Sequence, residues 1–131
     1  MDKSLLVTNG HLFLDELDKT RFRPDAALWV HDTDLDAWRL WVVPAVPKPD
    51  KHEFYRTVST VLSRAGSRID LSPSAVRLVP FDHPAIRALA AIYGGDRQGD
   101  LSLSSNMLNG FFIPDGIVIR MTDPTPRTTA A

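Results

Sequence analysis

The sequence contains no cysteine among its 131 residues, which excludes a disulfide framework, a thiolate metal site and a cysteine nucleophile. It has no excess of charge either. Because 15 Lys and Arg are balanced by 16 Asp and Glu, strong attraction to nucleic acid or to an anionic lipid surface is not expected. No apolar run reaches the length of a signal sequence or a membrane span. These absences favour a protein of the reducing cytoplasm with no membrane partner.

Catalytic and cofactor motifs are also missing. The sequence has no G-x-S-x-G elbow, no P-loop and no glycine-rich dinucleotide fingerprint after a strand. None of the spacings typical of a metal site occurs among the four histidines, which are His11, His31, His52 and His83. We therefore expect no metal and no cofactor, and the sequence favours a non-enzymatic function.

Three segments carry the apolar spacing of amphipathic helices. The first spans 4–19, although the Asn9–Gly10 pair leaves open a start after these two residues. The second begins after Asp50, with Glu53 in the capping-box position. The third is predicted to be capped by Asp82.

Five segments are rich in strand-forming residues. They span 26–31, 38–43, 75–80, 101–104 and 117–121. The first two flank a polar turn that is too short for a parallel crossover, so they are predicted to form an antiparallel hairpin. Phe111–Ile113 lies between the last two, and Pro114–Gly116 is predicted to be a turn.

The element order α, β, β, α, β, α, β, β lacks the regular alternation of a parallel α/β sheet. It predicts an α+β fold in which an antiparallel or mixed sheet of about five strands packs against about three helices, mainly on one face. We assign residues 1–121 to a single domain. Residues 122–131 are predicted to form a polar tail because they contain no large apolar side chain.

The predicted hairpin is apolar on both faces, because successive strand residues point in opposite directions and both sets contain Trp, Leu or Val. One face must meet the helices. We expect Trp29, Trp41 and Val43 to mark a second face that a second copy or a protein partner covers. The alternative is that the last helix or Phe111–Ile113 covers this face within the chain.

Acidic residues beside the hairpin leave open a second class of function. Asp25 follows Pro24 before the hairpin, which resembles the metal-binding start of the PD-(D/E)xK nuclease core. The resemblance implies a metal-dependent hydrolase, active or inactive, that uses Asp25 and Asp36, but the acid-x-Lys half of the motif is missing. His31 is a weak candidate base beside Asp32, weak because adjacent strand residues point to opposite faces.

A polar cluster near the C-terminus leaves open a third class, a small-ligand binder. Ser104, Asn106 and Asn109 belong to a Ser- and Asn-rich stretch that can offer hydrogen bonds to a ligand. The candidate ligand loop extends from Asp96 to Asn109. The competing interpretation is that these residues shape turns and strand ends.

The closing stretch from Ser105 to Arg120, with its Asn109–Gly110 pair, resembles the end of a group of short bacterial proteins that have no assigned activity. Those proteins are also similar to this chain in an early helix and in a hairpin with a Trp-x-Leu start, here Trp38–Leu40. The resemblance implies a bacterial origin. It implies no activity and no site.

Overall fold

In the computed structural model, which describes residues 3–93 and 100–122, three helices and five strands follow one another in the predicted order. The helices are α1 (Lys3–Leu17), α2 (Lys51–Ala65) and α3 (Pro84–Tyr93). The strands are β1 (Pro24–Asp32), β2 (Ala37–Pro44), β3 (Val76–Leu78), β4 (Leu101–Leu108) and β5 (Phe111–Met121). The predicted α+β class is confirmed.

The five strands of the described chain form one sheet in the order β3-β2-β1-β5-β4. The predicted β1–β2 hairpin is present and pairs from Pro24 opposite Pro44, through an irregularity before Ala26, to Asp32 opposite Ala37. Strand β3 runs parallel to β2, whereas all other pairs are antiparallel. The sheet is therefore mixed and mostly antiparallel.

The helices pack on both faces of the sheet. Helices α1 and α2 share one buried cluster with Ala27, Trp29 and Leu40, and we call this side the α1/α2 face. Helix α3 shares a second cluster with Trp41 and Val43, and we call this side the α3 face. The expectation that the helices gather mainly on one face holds for two of the three.

Helix α1 continues through Gly10 instead of starting after it. A Cβ atom at position 10 would lie 2.7 Å from Ile119 Cδ1 and 2.8 Å from Trp29 Nε1. Where the helix crosses the sheet, the Trp29 indole N–H also donates a hydrogen bond to the Leu6 carbonyl, at 2.7 Å. Glycine is therefore required here by the close approach of helix and sheet.

The N-terminal cap is predicted correctly for α2 but not for α3. Asp50 caps α2 as expected, because its Oδ1 accepts the Glu53 amide at 3.2 Å. At α3 the cap is His83 and not Asp82. The His83 Nδ1 accepts the Ala85 amide at 3.1 Å, and its carbonyl accepts the Arg87 amide at 2.9 Å. A neutral imidazole thus performs the task that sequence statistics assign to a carboxylate.

The β4–β5 hairpin corrects a second prediction. Pro114–Gly116, predicted as a turn, lies inside β5. The chain reverses instead at Asn109–Gly110, where φ is 51° and 84°. Two consecutive residues with positive φ are typical of a type I′ hairpin turn, and Asn-Gly is its preferred pair.

The tip of this hairpin turns onto the α3 face. Ile117 belongs to the cluster on the α1/α2 face, whereas Ile113, four residues earlier on the same strand, is buried on the α3 face. Between them, the register of β4 with β5 skips Pro114 and Ser105, and the φ of Ser105 is 50°. Strand alternation would keep Ile113 and Ile117 on one face, so the hairpin must twist or bend here.

Candidate functional site

The predicted interaction surface is buried inside the chain. Trp29, Trp41 and Val43 are 2%, 3% and 1% exposed. They also lie on opposite faces, with Trp29 on the α1/α2 face and the other two on the α3 face. The expected uncovered second face is therefore wrong, and the alternative cover by the last helix and Phe111–Ile113 is what the structure has.

An aromatic cluster closes the α3 face around Trp41. Its ring centroid lies 5.0 Å from that of His83 and 5.5 Å from that of Phe111, in edge-on geometry. The guanidinium of Arg77 lies 5.5 Å from the centre of the same ring. Burial, and then the positive charge of Arg77, lower the pKa of His83, while Asp82 acts in the opposite direction. His83 is therefore held in the neutral form that its capping role requires.

The proposed acidic metal site does not assemble. Asp25 lies at the start of β1 and Asp36 beyond its end, at the turn of the same hairpin. Seven residues of strand from Asp25 to Asp32 correspond to about 23 Å, so the two carboxylates cannot share one ion. Within residues 3–93 and 100–122, no group of three His, Asp or Glu side chains is arranged to hold a metal. The hydrolase hypothesis built on Asp25 and Asp36 is contradicted by this separation.

The polar residues near the C-terminus make local hydrogen bonds. Asn106 Oδ1 accepts the Ser104 amide at 2.8 Å, and Asn109 Nδ2 donates to the Pro84 carbonyl at 3.1 Å. These contacts shape the bent hairpin and fasten its turn to the start of α3. The part of the predicted ligand loop from Asp96 to Gly99 lies outside the described residues, as does the predicted tail beyond Thr122.

A groove of about 550 Å³ lies on the α1/α2 face, away from all of the predicted binding residues except Trp29. It opens where α1, the end of the β1–β2 hairpin and the connection from α2 to β3 meet. Its apolar lining includes Leu5, Trp38 and Leu71, and its polar lining includes Asn9, His31 and Asp36. The volume lies in the range of small-molecule sites.

His31 and Asp36 form a pair inside this groove. His31 Nε2 lies 3.1 Å from Asp36 Oδ1, and the imidazole lies beside Trp38 with ring centroids 5.3 Å apart. The turn makes this possible because Asp36 adopts a φ of 48°. Asp32, the sequence-predicted partner of His31, instead accepts the amides of Asp34 and Leu35. Of the three weak catalytic candidates, the structure thus brings together His31 and Asp36.

Asn9 is a groove residue that the sequence analysis does not identify. Its Oδ1 accepts the Asp70 amide at 2.8 Å, and its Nδ2 donates to the Leu5 carbonyl at 3.0 Å. The side chain thereby fixes the connection after α2 against α1 and sets the width of the groove. One signal in the sequence could have identified Asn9. It is an amide residue among the apolar residues of a predicted helix, and such a side chain usually hydrogen bonds to nearby backbone.

The rim of the groove carries charge of both signs. Lys3 Nζ lies 3.2 Å from Asp115 Oδ1 and 6.0 Å from the centre of the Trp38 ring. The Asp36 side chain is 92% exposed and the His31 side chain 25% exposed. Trp38 therefore presents an aromatic surface between an ammonium and a carboxylate.

The fold and groove together define an α+β domain with a mixed five-stranded sheet and a lateral groove, within the described residues. Comparison of the chain with protein-family models, with curated proteins and with solved structures finds no match. The resemblance of its closing stretch to short bacterial proteins therefore stays a prediction. None of the helices in the described ranges has the length and apolarity needed to cross a membrane.

Proposed function

We propose that this chain is a non-enzymatic domain that binds a small organic molecule in the groove beside Trp38. The observation that carries the proposal is the lining, which combines exposed or half-buried apolar side chains with the His31–Asp36 pair. Ligand sites in proteins have this composition, a mainly apolar wall with a few polar groups that orient the ligand. This is the small-ligand class that the sequence left open, at a different place in the molecule.

The lining also indicates the class of ligand. Trp38 is half-buried and offers one side of a ring to a planar or aromatic group, while Leu5 and Leu71 extend the apolar wall. A hydrogen-bonding group on the ligand would meet His31, whose ring is oriented by Asp36. We therefore expect an amphipathic molecule with one aromatic ring and one polar end.

Binding fits the geometry better than catalysis does. A His–Asp pair can act as an oriented base, but covalent catalysis also needs a nucleophile within hydrogen-bond reach of the imidazole. In the described part of the chain, His31 forms its hydrogen bond with Asp36 and with no hydroxyl group. Ser72, which also lines the groove, is instead 2.9 Å from the hydroxyl of Ser74.

The test is a fragment screen by protein NMR, with compounds that each carry an aromatic ring and a hydrogen-bonding group. We expect saturable shifts confined to Asn9, Trp38, Leu71 and their neighbours, and weaker binding in Trp38→Ala and His31→Gln. Ile92→Ala is the matched control because Ile92 is an apolar residue of α3 that is 60% exposed. Hits that map elsewhere, or that bind the two groove variants as tightly as the native chain, would contradict the proposal.

A second candidate function is self-association through the edge strand β4, and a different observation supports it. Met107 and Phe112 form a cross-strand pair and are 65% and 51% exposed. Strand β4 lies at the end of the sheet, and residues 101–114 contain no charged side chain. Charged residues commonly protect sheet edges from pairing. We propose that a second copy pairs with this edge, because two uncharged strands meet without like-charge repulsion.

Sedimentation over a range of protein concentrations tests this second candidate. The native chain should approach twice the monomer mass, and Phe112→Lys should remain monomeric. Leu35→Lys is the control, since Leu35 is 60% exposed at the turn of the other hairpin. A native chain that stays monomeric at every concentration would exclude a dimer. We propose a bacterial cytoplasm as the setting of either binding function. The absence of cysteine favours a reducing compartment, and the bacterial origin rests on the resemblance of the closing stretch.

A further inference from the structure

Arg39 has the one buried side-chain nitrogen that lacks a hydrogen-bond partner within residues 3–93 and 100–122. The residue lies in β2, opposite Val30 and two positions before Trp41, so its side chain belongs to the α3 face. Its Nε is shielded from solvent and donates to nothing. Buried donors in folded proteins are almost always paired, so this Nε–H can take an acceptor from outside the chain, such as an ion or a water molecule.

A second arginine lies on the same face of the neighbouring strand. Arg77 of β3 is paired in register with Trp41, and its guanidinium lies over the Trp41 ring. Arg39 and Arg77 are thus diagonal neighbours on one face of two adjacent strands, with Cα atoms about 7–8 Å apart.

Neither arginine forms an ion pair within residues 3–93 and 100–122. The pairs of Arg21 with Glu53 and of Arg120 with Asp18 do not involve them, and Arg77 is exposed. Asp82 acts on the same His83 as Arg77, but Asp82 and Arg77 form no ion pair in the described part of the chain. Two guanidiniums on one face of the sheet repel each other and attract an anion.

We propose that Arg39 and Arg77 form a binding site for a small oxyanion, a phosphate or carboxylate group, beside Trp41 on the α3 face. The planar guanidinium fork matches both groups, and an oxyanion at Arg39 would supply the acceptor that its Nε lacks. This site lies on the opposite face of the sheet from the groove and does not depend on the groove for its function.

Without a bound anion, Arg39 should also reduce stability, because a shielded charged donor without an acceptor opposes folding. Arg39→Met keeps the length of the side chain and removes the donor and the charge. Without added anion, this variant should therefore unfold at a higher urea concentration than the native chain. The native chain should gain stability when phosphate is added, and the variant should not.

The direct measurement follows the Arg39 Nε–H and the Trp41 indole N–H by NMR while inorganic phosphate replaces chloride at constant ionic strength. We expect a saturable shift of both signals and an affinity at least about tenfold lower in Arg39→Met and in Arg77→Met. Arg77 is exposed, so its variant tests the site even if the Arg39 variant folds poorly. The control is Arg64→Met, an exposed position of α2 behind the other face.

Acetate in place of phosphate forms the second arm of the experiment. Tighter binding of phosphate assigns the site to a phosphate group, and tighter binding of acetate assigns it to a carboxylate. Shifts that do not saturate with either anion, or that persist unchanged in both variants, would overturn the proposal. So would an Arg39→Met variant that is no more stable than the native chain and no different from it in its response to anion.

Discussion

The α1/α2 face of the sheet is covered by two helices of 15 residues each, whereas the α3 face is covered by one helix of 10 residues and the bent tip of a hairpin. Both faces bury a tryptophan almost completely. On the first face the Trp29 indole N–H is hydrogen bonded to a helix carbonyl, while Trp41 on the second is surrounded by rings and a guanidinium. The two tryptophans are thus buried to the same degree, one by a layer of two long helices and the other by a short helix together with a hairpin tip.

This difference matters for function. On the α1/α2 face, the groove lies at the edge of the helical layer, where α1 meets the end of the β1–β2 hairpin. The α3 face places the Arg77 guanidinium over the Trp41 ring and leaves the Arg39 Nε without a protein partner.

Replacement of Trp41 is the strongest test of whether the α3 face is a true core. Trp41→Ala should lower the free energy of unfolding by about 3–5 kcal/mol, because a fully packed aromatic side chain is lost. Trp38→Ala, at a half-buried ring, should cost about 1 kcal/mol. Urea denaturation measures both. Similar small losses in the two variants would show that the hairpin tip does not pack as a core.

Gly10→Ala tests the close approach on the α1/α2 face and should have a smaller effect. A new methyl group would meet Ile119 and Trp29 at under 3 Å, and overpacking of this kind costs about 1–3 kcal/mol. The helix-propensity gain of about 1 kcal/mol offsets part of this loss. Thr8→Ala, at an exposed position of the same helix, is the control and should be neutral or slightly stabilising. Thermal unfolding that ranks Gly10→Ala above the native chain would disprove the contact.

The smallest expected effect is the pH dependence of stability that His83 contributes on the α3 face. Burial and Arg77 lower the pKa of His83 below the ordinary value of 6.5. As the pH falls below 6.5, the unfolded chain therefore takes up a proton before the folded chain does. The stability that neutral His83 contributes is fully present above pH 6.5 and is lost as the pH falls towards the lowered pKa of the folded state.

His83→Asn isolates this effect, because asparagine can still cap α3 but does not titrate. The difference in urea midpoint between about pH 7.5 and about pH 5.5 should be smaller in the variant than in the native chain. The other histidines are present in both proteins and cancel in the comparison. An identical pH dependence in the two would mean that His83 titrates freely.

Local patterns predicted most of the elements. The β1–β2 hairpin, the Asp50 cap and the element order follow from spacing and from terminal residues, and the structure has all three. The Asn109–Gly110 pair is a strong hairpin signal, but the Pro114–Gly116 segment after it also has the composition of a turn, and the structure turns only at the first of them. Proline and glycine mark turns statistically, while strand pairing with β1 and β4 decided this case.

The candidate site is far less predictable. The sequence offers His31 and Asp36 as polar candidates, but their pairing depends on the positive φ of Asp36. Asn9 and Asp70 are 61 residues apart, and the unpaired Nε of Arg39 depends on what packs around it. Such contacts are set by the packing of residues far apart in the chain. They leave no periodic pattern in the sequence from which they could be predicted.

By itself, the sequence determined that the central hairpin is apolar on both sides, since alternation along a strand assigns each side chain to a face. It also determined three helices of matching apolar spacing. Only the tertiary structure decided what covers the second face. The cover comes from α3 and from the β4–β5 hairpin, in which side chains stop alternating regularly at Ser105 and Pro114. This geometry arises from contacts between strands far apart in the chain.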